Sequence, residues 1–234
     1  MNVEFPILNY TLINEFKNCP FKAYHTKIAK TIPTVQSPEM MHGNRVHEAM
    51  EQRVAKEVKL PEDLHYMEPF AQALEEYQPL CEVKMGVDAN GKPVGWTGRG
   101  VWFRGRVDVL IARMDTRVAA IYDYKTGKKR EGYGQELELY TSAFLAKACY
   151  PHLTQVHARF LWTKQLFDVM GKEYIITDFE MVHITIADYA VKIRTCFDSG
   201  VWPKTPNKLC DYCPVKACEH NTNTQAVPQL PAAE

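Results

Sequence analysis

The sequence contains no apolar run approaching the ~20 residues needed to span a bilayer, so an α-helical membrane protein is not expected. It carries no excess of charge either: 28 Lys and Arg stand against 28 Asp and Glu, with a pI of 7.1. Overall charge therefore does not announce a nucleic-acid partner. No internal repeat and no signal-peptide pattern is visible, so a soluble, cytoplasmic protein is expected. In that reducing compartment the seven cysteines are not expected to form disulfides. What is present is enough apolar residues, 46% of 234, to bury a sizeable core. One domain is expected over residues 1–220, followed by a polar, proline-containing tail, 221–234, expected to be disordered.

Periodicity gives the order of elements. Leu12, Ile13, Phe16 and Tyr24 have helical spacing over about 10–26. Ser37 is a cap with Pro38 at the first helical position, opening a helix to about Val58. Residues 61–78 read as a third helix. Alternation then predicts strands over 80–87, 93–113 and 117–125, with a turn at Asp88–Gly91. Helical period returns over 133–148, strands follow at 157–163 and 174–179, and a helix over 186–199 is stopped by Gly200. The expectation is an α/β fold with a mixed central sheet flanked by helices, plus a helical N-terminal part.

The most informative segment is 105–125, GRVDVLIARMDTRVAAIYDYK. In its first run Val107, Val109 and Ile111 alternate with Arg106, Asp108 and Leu110, which sets Asp108 opposite the valines. In the second, Asp123 and Lys125 share a face. If the runs pair antiparallel around Met114-Asp115-Thr116, both carboxylates converge on one hard, oxygen-seeking cation with Lys125 beside it. That is the equipment for cutting a phosphodiester. A metal offsets phosphate charge and lowers the pKa of a bound water, and an ammonium can orient or deprotonate that water. Taken alone, the segment fits equally a surface hairpin whose charges are solvated.

The order Gly-Arg-Val-Asp108, then Asp123-Tyr124-Lys125-Thr126-Gly127, then a helix carrying Tyr140, resembles the PD-(D/E)XK nuclease superfamily and specifically its RecB-like exonuclease branch. Upstream, Gly43-Asn-Arg-Val-His47 is similar to that branch's Gly-x-x-x-His helix motif, although on residue type alone His47 reads as a polar-face histidine. The resemblance implies a restriction-endonuclease-like three-layer core. It also implies Mg²⁺ or Mn²⁺ held by His47, Asp108, Asp123 and the Tyr124 backbone carbonyl, and Lys125 as the catalytic lysine. Glu82 sits where relatives often carry an acid and is a weaker candidate behind the ligands. Relatives show Gln-x-x-x-Tyr after the lysine. Here Glu136 holds the matching position before Tyr140 and Gln135 is one residue early, about 100° of helical rotation away. Gln135, Glu136 and Tyr140 are all carried forward as candidate catalytic residues. Arg99, Arg104, Arg106, Lys128, Lys129 and Arg130 gather around the proposed cleft and are candidates to hold DNA phosphates, though 127–131 alone also reads as a solvated loop.

A second constellation is Cys19 near the start with Cys210, Cys213 and Cys218 near the end. Cys81, Cys149 and Cys196 lie singly in apolar stretches and read as small core residues. The tight late group suits a soft metal centre. Phe16-x-x-Cys19-Pro20 with Tyr24 resembles the N-terminal signature of iron–sulfur RecB-like nucleases, including helicase-linked and CRISPR-associated adaptation nucleases. In those, one early and three late cysteines hold a [4Fe-4S] cluster. Zinc on the same four thiolates is the alternative, since the Cys213 to Cys218 gap is one residue shorter than usual.

Two functions follow. The first is a metal-dependent DNA nuclease, an exonuclease on linear or single-stranded ends in phage or bacterial recombination, repair or processing, working with recombination or helicase partners. The alternative is a non-catalytic DNA-binding or scaffolding module of a recombination or CRISPR adaptation complex. The paired Asp108 and Asp123 favour the first, because a module without catalysis has no physical need for two facing like charges.

Overall fold

A computed structural model describes residues 3–33, 35–128, 136–164 and 171–222. The expectations for Lys129, Arg130, Gln135 and the tail from residue 223 lie outside them. The described residues form two compact units: those within 7–10 and 35–190 make the larger, and those within 3–6, 11–33 and 191–222 the smaller.

The larger unit is built on a six-stranded sheet in the order β2-β1-β3-β4-β5-β6. Its strands are β1 (Leu80–Val87), β2 (Pro93–Val94), β3 (Phe103–Arg113), β4 (Val118–Lys125), β5 (Gln155–Trp162) and β6 (Tyr174–Ile176). All neighbours run antiparallel except β4 and β5. That parallel pair needs a crossover, which α5 (Glu136–Cys149) supplies. The expected hairpin forms, with Arg113 opposite Val118 across a turn at 114–117. The expected continuous strand over 93–113 does not. Gly95, Gly98 and Gly100 favour turns over extended chain, and residues 95–102 loop between β2 and β3.

One face of the sheet is covered by α3 (Pro38–Lys56), a 3₁₀ turn (Glu62–Met67) and α4 (Glu68–Glu75). The expected single helix over 61–78 is thus two segments, and Pro69 stands at the head of the second, where its missing N–H costs nothing. Ser37 caps α3 by accepting from the Met40 N–H. Val46, Met50 and Val54 of α3 pack with Leu64, Leu74 and Val109 in one core. Arg53 ties α3 to α4 by reaching Glu68 at 2.6 Å and Glu75 at 2.9 Å. Against β3 lies α5, so closely that a Cβ at Gly105 would meet Leu145 Cδ1 at 2.8 Å. The last helix, α6 (Phe179–Ser199), starts seven residues before its expected start, because Asp178 caps it by accepting from the Met181 N–H.

In the smaller unit the expected helix over 10–26 is interrupted. Residue types before proline avoid the helical region, and Cys19, ahead of Pro20, is extended (φ −164°, ψ 107°) between α1 (Tyr10–Asn18) and α2 (Pro20–Ala23). A π-helical turn, Tyr24–Ile28, follows. The two chain ends meet here: Tyr24 stacks on Trp202 at 4.9 Å, Phe16 meets the same indole edge-on, and the Phe21 N–H donates to the Pro203 carbonyl. Asn221, beyond the expected boundary at 220, is buried and donates to the Cys213 carbonyl.

Candidate active site and cysteine centre

The site begins where the sheet ladder opens. Leu80–Val87 and Phe103–Arg113 pair in one register on both sides of Glu82 and Asp108, but those two residues, which would face each other, are not paired. Glu82 instead holds a left-handed backbone (φ 53°) within the strand. That conformation costs a non-glycine residue about 1–2 kcal/mol, and here it accompanies a carboxylate set beside Asp108. Likewise β3 and β4 pair no further than Val109 and Tyr122. Beyond that point the Asp108 side chain takes over as acceptor, its Oδ2 receiving the Tyr124 N–H at 2.7 Å.

His47 reaches this opening from α3. Its Nδ1 lies 3.2 Å from Asp108 Oδ1 and 3.8 Å from Glu82 Oε1, and its ring stands edge-on to Tyr124 at 5.5 Å. One turn earlier, Gly43 lets the helix pass Thr126, whose Oγ1 would sit 3.2 Å from a Cβ there. The Gly-x-x-x-His spacing thus combines close approach with a donor aimed at the carboxylates. Ligand atoms of His47, Glu82 and Asp108 all lie within 4.8 Å of one another. Two carboxylates and an imidazole suit Mg²⁺ or Mn²⁺. Glu82, only a weaker candidate in the sequence, is therefore one of the three converging donors. Burial opposes charge on His47, but the Asp108 and Glu82 carboxylates facing Nδ1 and the field of Asp123 push its pKa up to about 10. A proton on this imidazole thus offsets the carboxylates, and a cation has to displace it.

Asp123 stands next to this group rather than in it. Its Oδ2 pairs with Lys125 Nζ at 2.7 Å. Burial, then the Glu138 and Asp108 carboxylates, raise its pKa well above the ordinary carboxylate range, against the pull of Lys125. Lys125 bonds Glu138 Oε2, also at 2.7 Å, and lies over the Phe160 ring. Burial disfavours its charge, but Asp123 and Glu138 outweigh burial and hold the lysine above its usual range. Lys125 stays an ammonium, which favours its holding a phosphate or water over its taking a proton.

Glu138 is the residue that sequence reasoning passed over. The signal was its place in α5: with Thr141 and Leu145, both buried, it makes an i, i+3, i+7 row facing inward. An acid in that row needs a cation, and Lys125 is it. Glu136 and Tyr140 meet a different neighbour, Tyr174, whose hydroxyl donates to Glu136 and whose ring meets Tyr140 edge-on at 6.0 Å. Arg106 reaches Glu82 Oε2 with its Nε at 2.8 Å, Arg104 lies over Trp96, and Lys128 and Arg99 are exposed.

In the smaller unit Cys19, Cys210, Cys213 and Cys218 line one cavity with Lys22 and Lys204. The Asn207 N–H donates to Cys210 Sγ at 3.3 Å. Burial pushes the Cys213 thiol up, a hydrogen bond with the Val215 backbone and the Lys22 ammonium pull it down, and Cys19 and Cys218 lie near enough to add to the rise. Among the described residues, no three of these thiols fall within 4.8 Å of one another. The four thiols share a cavity lining without converging on a single-ion spacing. Cys81, Cys149 and Cys196 are half-buried rather than core residues, and Cys81 packs against the α3–α4 core.

A search of curated proteins finds no match. Among solved structures, SSO0001 aligns with a TM-score of 0.55 at 16% identity over 94% of this chain and 89% of that one. A protein of Eubacterium rectale provisionally named an exonuclease aligns with a TM-score of 0.50 at 10% identity, over 95% of this chain and 89% of that one. At these identities the likeness is one of fold. The profile of the PD-(D/E)XK nuclease superfamily matches residues 8–218, which include every candidate ligand at both sites. The chain belongs to the PD-(D/E)XK nuclease superfamily.

Proposed function

We propose that the protein is a divalent-metal-dependent DNA nuclease of the RecB-like branch, an exonuclease acting on linear or single-stranded ends in bacterial or phage DNA processing. The observation that carries this reading is the convergence of His47, Glu82 and Asp108 beside the Asp123–Lys125 pair. When bound, Mg²⁺ or Mn²⁺ supplies Lewis-acid charge at the scissile phosphate and a water of lowered pKa. His47, Glu82 and Asp108 would hold the ion, joined by Asp123 and the Tyr124 carbonyl. Lys125, fixed by Asp123 and Glu138, holds the phosphate or orients the attacking water. Glu136 and Tyr140 line the helix behind, and Arg104, Arg106, Lys128, Lys129 and Arg130 hold the flanking backbone.

For the cysteines the reading is a structural [4Fe-4S] cluster in a cytoplasmic, thiol-reducing setting. Cys19, Cys210, Cys213 and Cys218 lining one cavity supports a shared centre, and the four-thiolate set fits a cluster or zinc alike. The deciding experiment incubates the purified protein with end-labelled linear and closed circular DNA, with and without Mg²⁺ or Mn²⁺. Release of nucleotides from linear DNA only, with metal only, and none from Asp108→Ala, is the expected result. Full activity in EDTA, or in Asp108→Ala, overturns it.

A further inference from the structure

The chain as a whole is neutral, yet between residues 83 and 107 it carries five basic residues, Lys84, Lys92, Arg99, Arg104 and Arg106, against one acid, Asp88. The sheet gives that excess a direction. In β3 Phe103 and Val107 are buried and Gly105 lies under Leu145, so Arg104 and Arg106 occupy the opposite face of the strand. Lys84 of β1 pairs directly with Arg106 and is exposed. Successive residues on one strand face are about 6.6 Å apart, so Arg104 and Arg106 form a row that leads to Asp108. Arg106 touches the site through Glu82, and its side chain remains 53% exposed.

At the far end of this row stands an aromatic. The turn Gly95-Trp-Thr-Gly98 is closed by the Gly98 N–H donating to the Gly95 carbonyl at 2.8 Å. A Cβ at Gly98 would come within 3.1 Å of that carbonyl, so the turn is tight there. The turn sets Trp96 beneath the Arg104 guanidinium, 4.6 Å from the ring centre, and Arg104 Nη1 donates to the Trp96 carbonyl. A guanidinium stacked on an indole is a ready platform for an unpaired base, which a base inside a duplex stack cannot reach.

We propose that a single strand of DNA runs from the carboxylate site along this face of β1 and β3, its phosphates held by Arg106 and Lys84 and one base stacked on the Trp96–Arg104 pair. The proposal rests on the reading of the neighbouring site as a DNA nuclease, but its test does not. Binding of fluorescein-labelled oligo-dT and of a blunt DNA duplex is measured in EDTA, where the proposed cleavage cannot proceed, for wild type, Trp96→Ala, Trp96→Phe and Lys84→Gln. Trp96→Ala is expected to weaken oligo-dT binding about tenfold or more while duplex binding changes by less than about twofold. Trp96→Phe restores most of the affinity because a π face is kept. Lys84→Gln lowers the slope of log affinity against log salt by about 0.7, one phosphate contact on a single strand. Unchanged oligo-dT binding in Trp96→Ala and Lys84→Gln, an equal loss on duplex, or tighter binding of oligo-rU than oligo-dT overturns it. If Trp96→Ala fails to fold, by thermal melting, Trp96→Phe and Lys84→Gln carry the same test. Protein that binds single strands through Trp96 but cuts nothing would leave this proposal standing and remove the nuclease reading. Cutting with no Trp96 effect would do the reverse.

Discussion

Lys125 has little freedom: two carboxylates fix its ammonium, and together they outweigh its burial. Lys125→Ala is expected to slow single-turnover cleavage about 10²- to 10⁴-fold with little change in DNA affinity, since on the proposed reading it is one of several phosphate contacts. Lys125→Arg should not rescue, because the guanidinium is wider and planar. Glu138→Gln keeps the shape but leaves Lys125 to Asp123 alone, and a loss of about 10- to 100-fold in cleavage is expected, as for other residues that orient an active group. Binding lost with unchanged single-turnover rate would contradict both. The same cluster makes stability depend on pH. His47 and Asp123 both have folded pKa values above their ordinary ones, so the folded state holds more protons and stability falls as pH rises. The His47 contribution is complete below about 6.5, its unfolded pKa, and is lost as pH climbs through about 10. Melting temperatures in EDTA should decline over that window and flatten in His47→Gln. Added Mn²⁺ should stabilise more at higher pH, because it displaces the same proton.

At the scale of elements, α3 does two jobs: Gly43 and His47 serve the site, and Met50, Arg53 and Val54 serve the core. Arg53 joins α3 to α4 through Glu68 and Glu75, whose carboxylates are about one-third exposed. Arg53→Ala removes two charge-assisted bonds in a partly solvated setting. A loss of about 1–3 kcal/mol is expected, or about 2–12 °C in Tm for a chain of this size, read by thermal melting. Cleavage per folded molecule should survive if His47 keeps its place.

For the whole molecule, the first and last segments build one unit, and four of its cysteines line one cavity. A centre bridging Cys19 to Cys210 closes a loop over most of the sequence, so it restricts the unfolded chain and adds ligand bonds to folding. Protein purified without oxygen is expected to be brown and to lose colour and thermal stability together on oxidation. Cys19→Ser should lose both while every nuclease carboxylate is intact. Colourless, stable protein with one zinc per chain would replace the cluster with zinc. Among the described residues no helix is long and apolar enough to cross a membrane.

The sequence alone determined the elements whose signals are local. The cap at Ser37 and Pro38, the strand over 80–87 and the hairpin at 114–117 each depend on neighbours in the chain, and each recurs in the fold. Local rules also explain two misses in hindsight, the break at Cys19-Pro20 and the glycine loop that divides 93–113. What only tertiary structure decided is which charges meet. Glu82 joins His47 and Asp108 because a left-handed residue opens a ladder whose two strands are set by long-range pairing. Glu138, and not Glu136, answers Lys125 because the packing of α5 on the sheet fixes its rotation. Trp96 meets Arg104 across a glycine-rich loop, a contact that the seven residues between them do not specify until the sheet holds both ends in place.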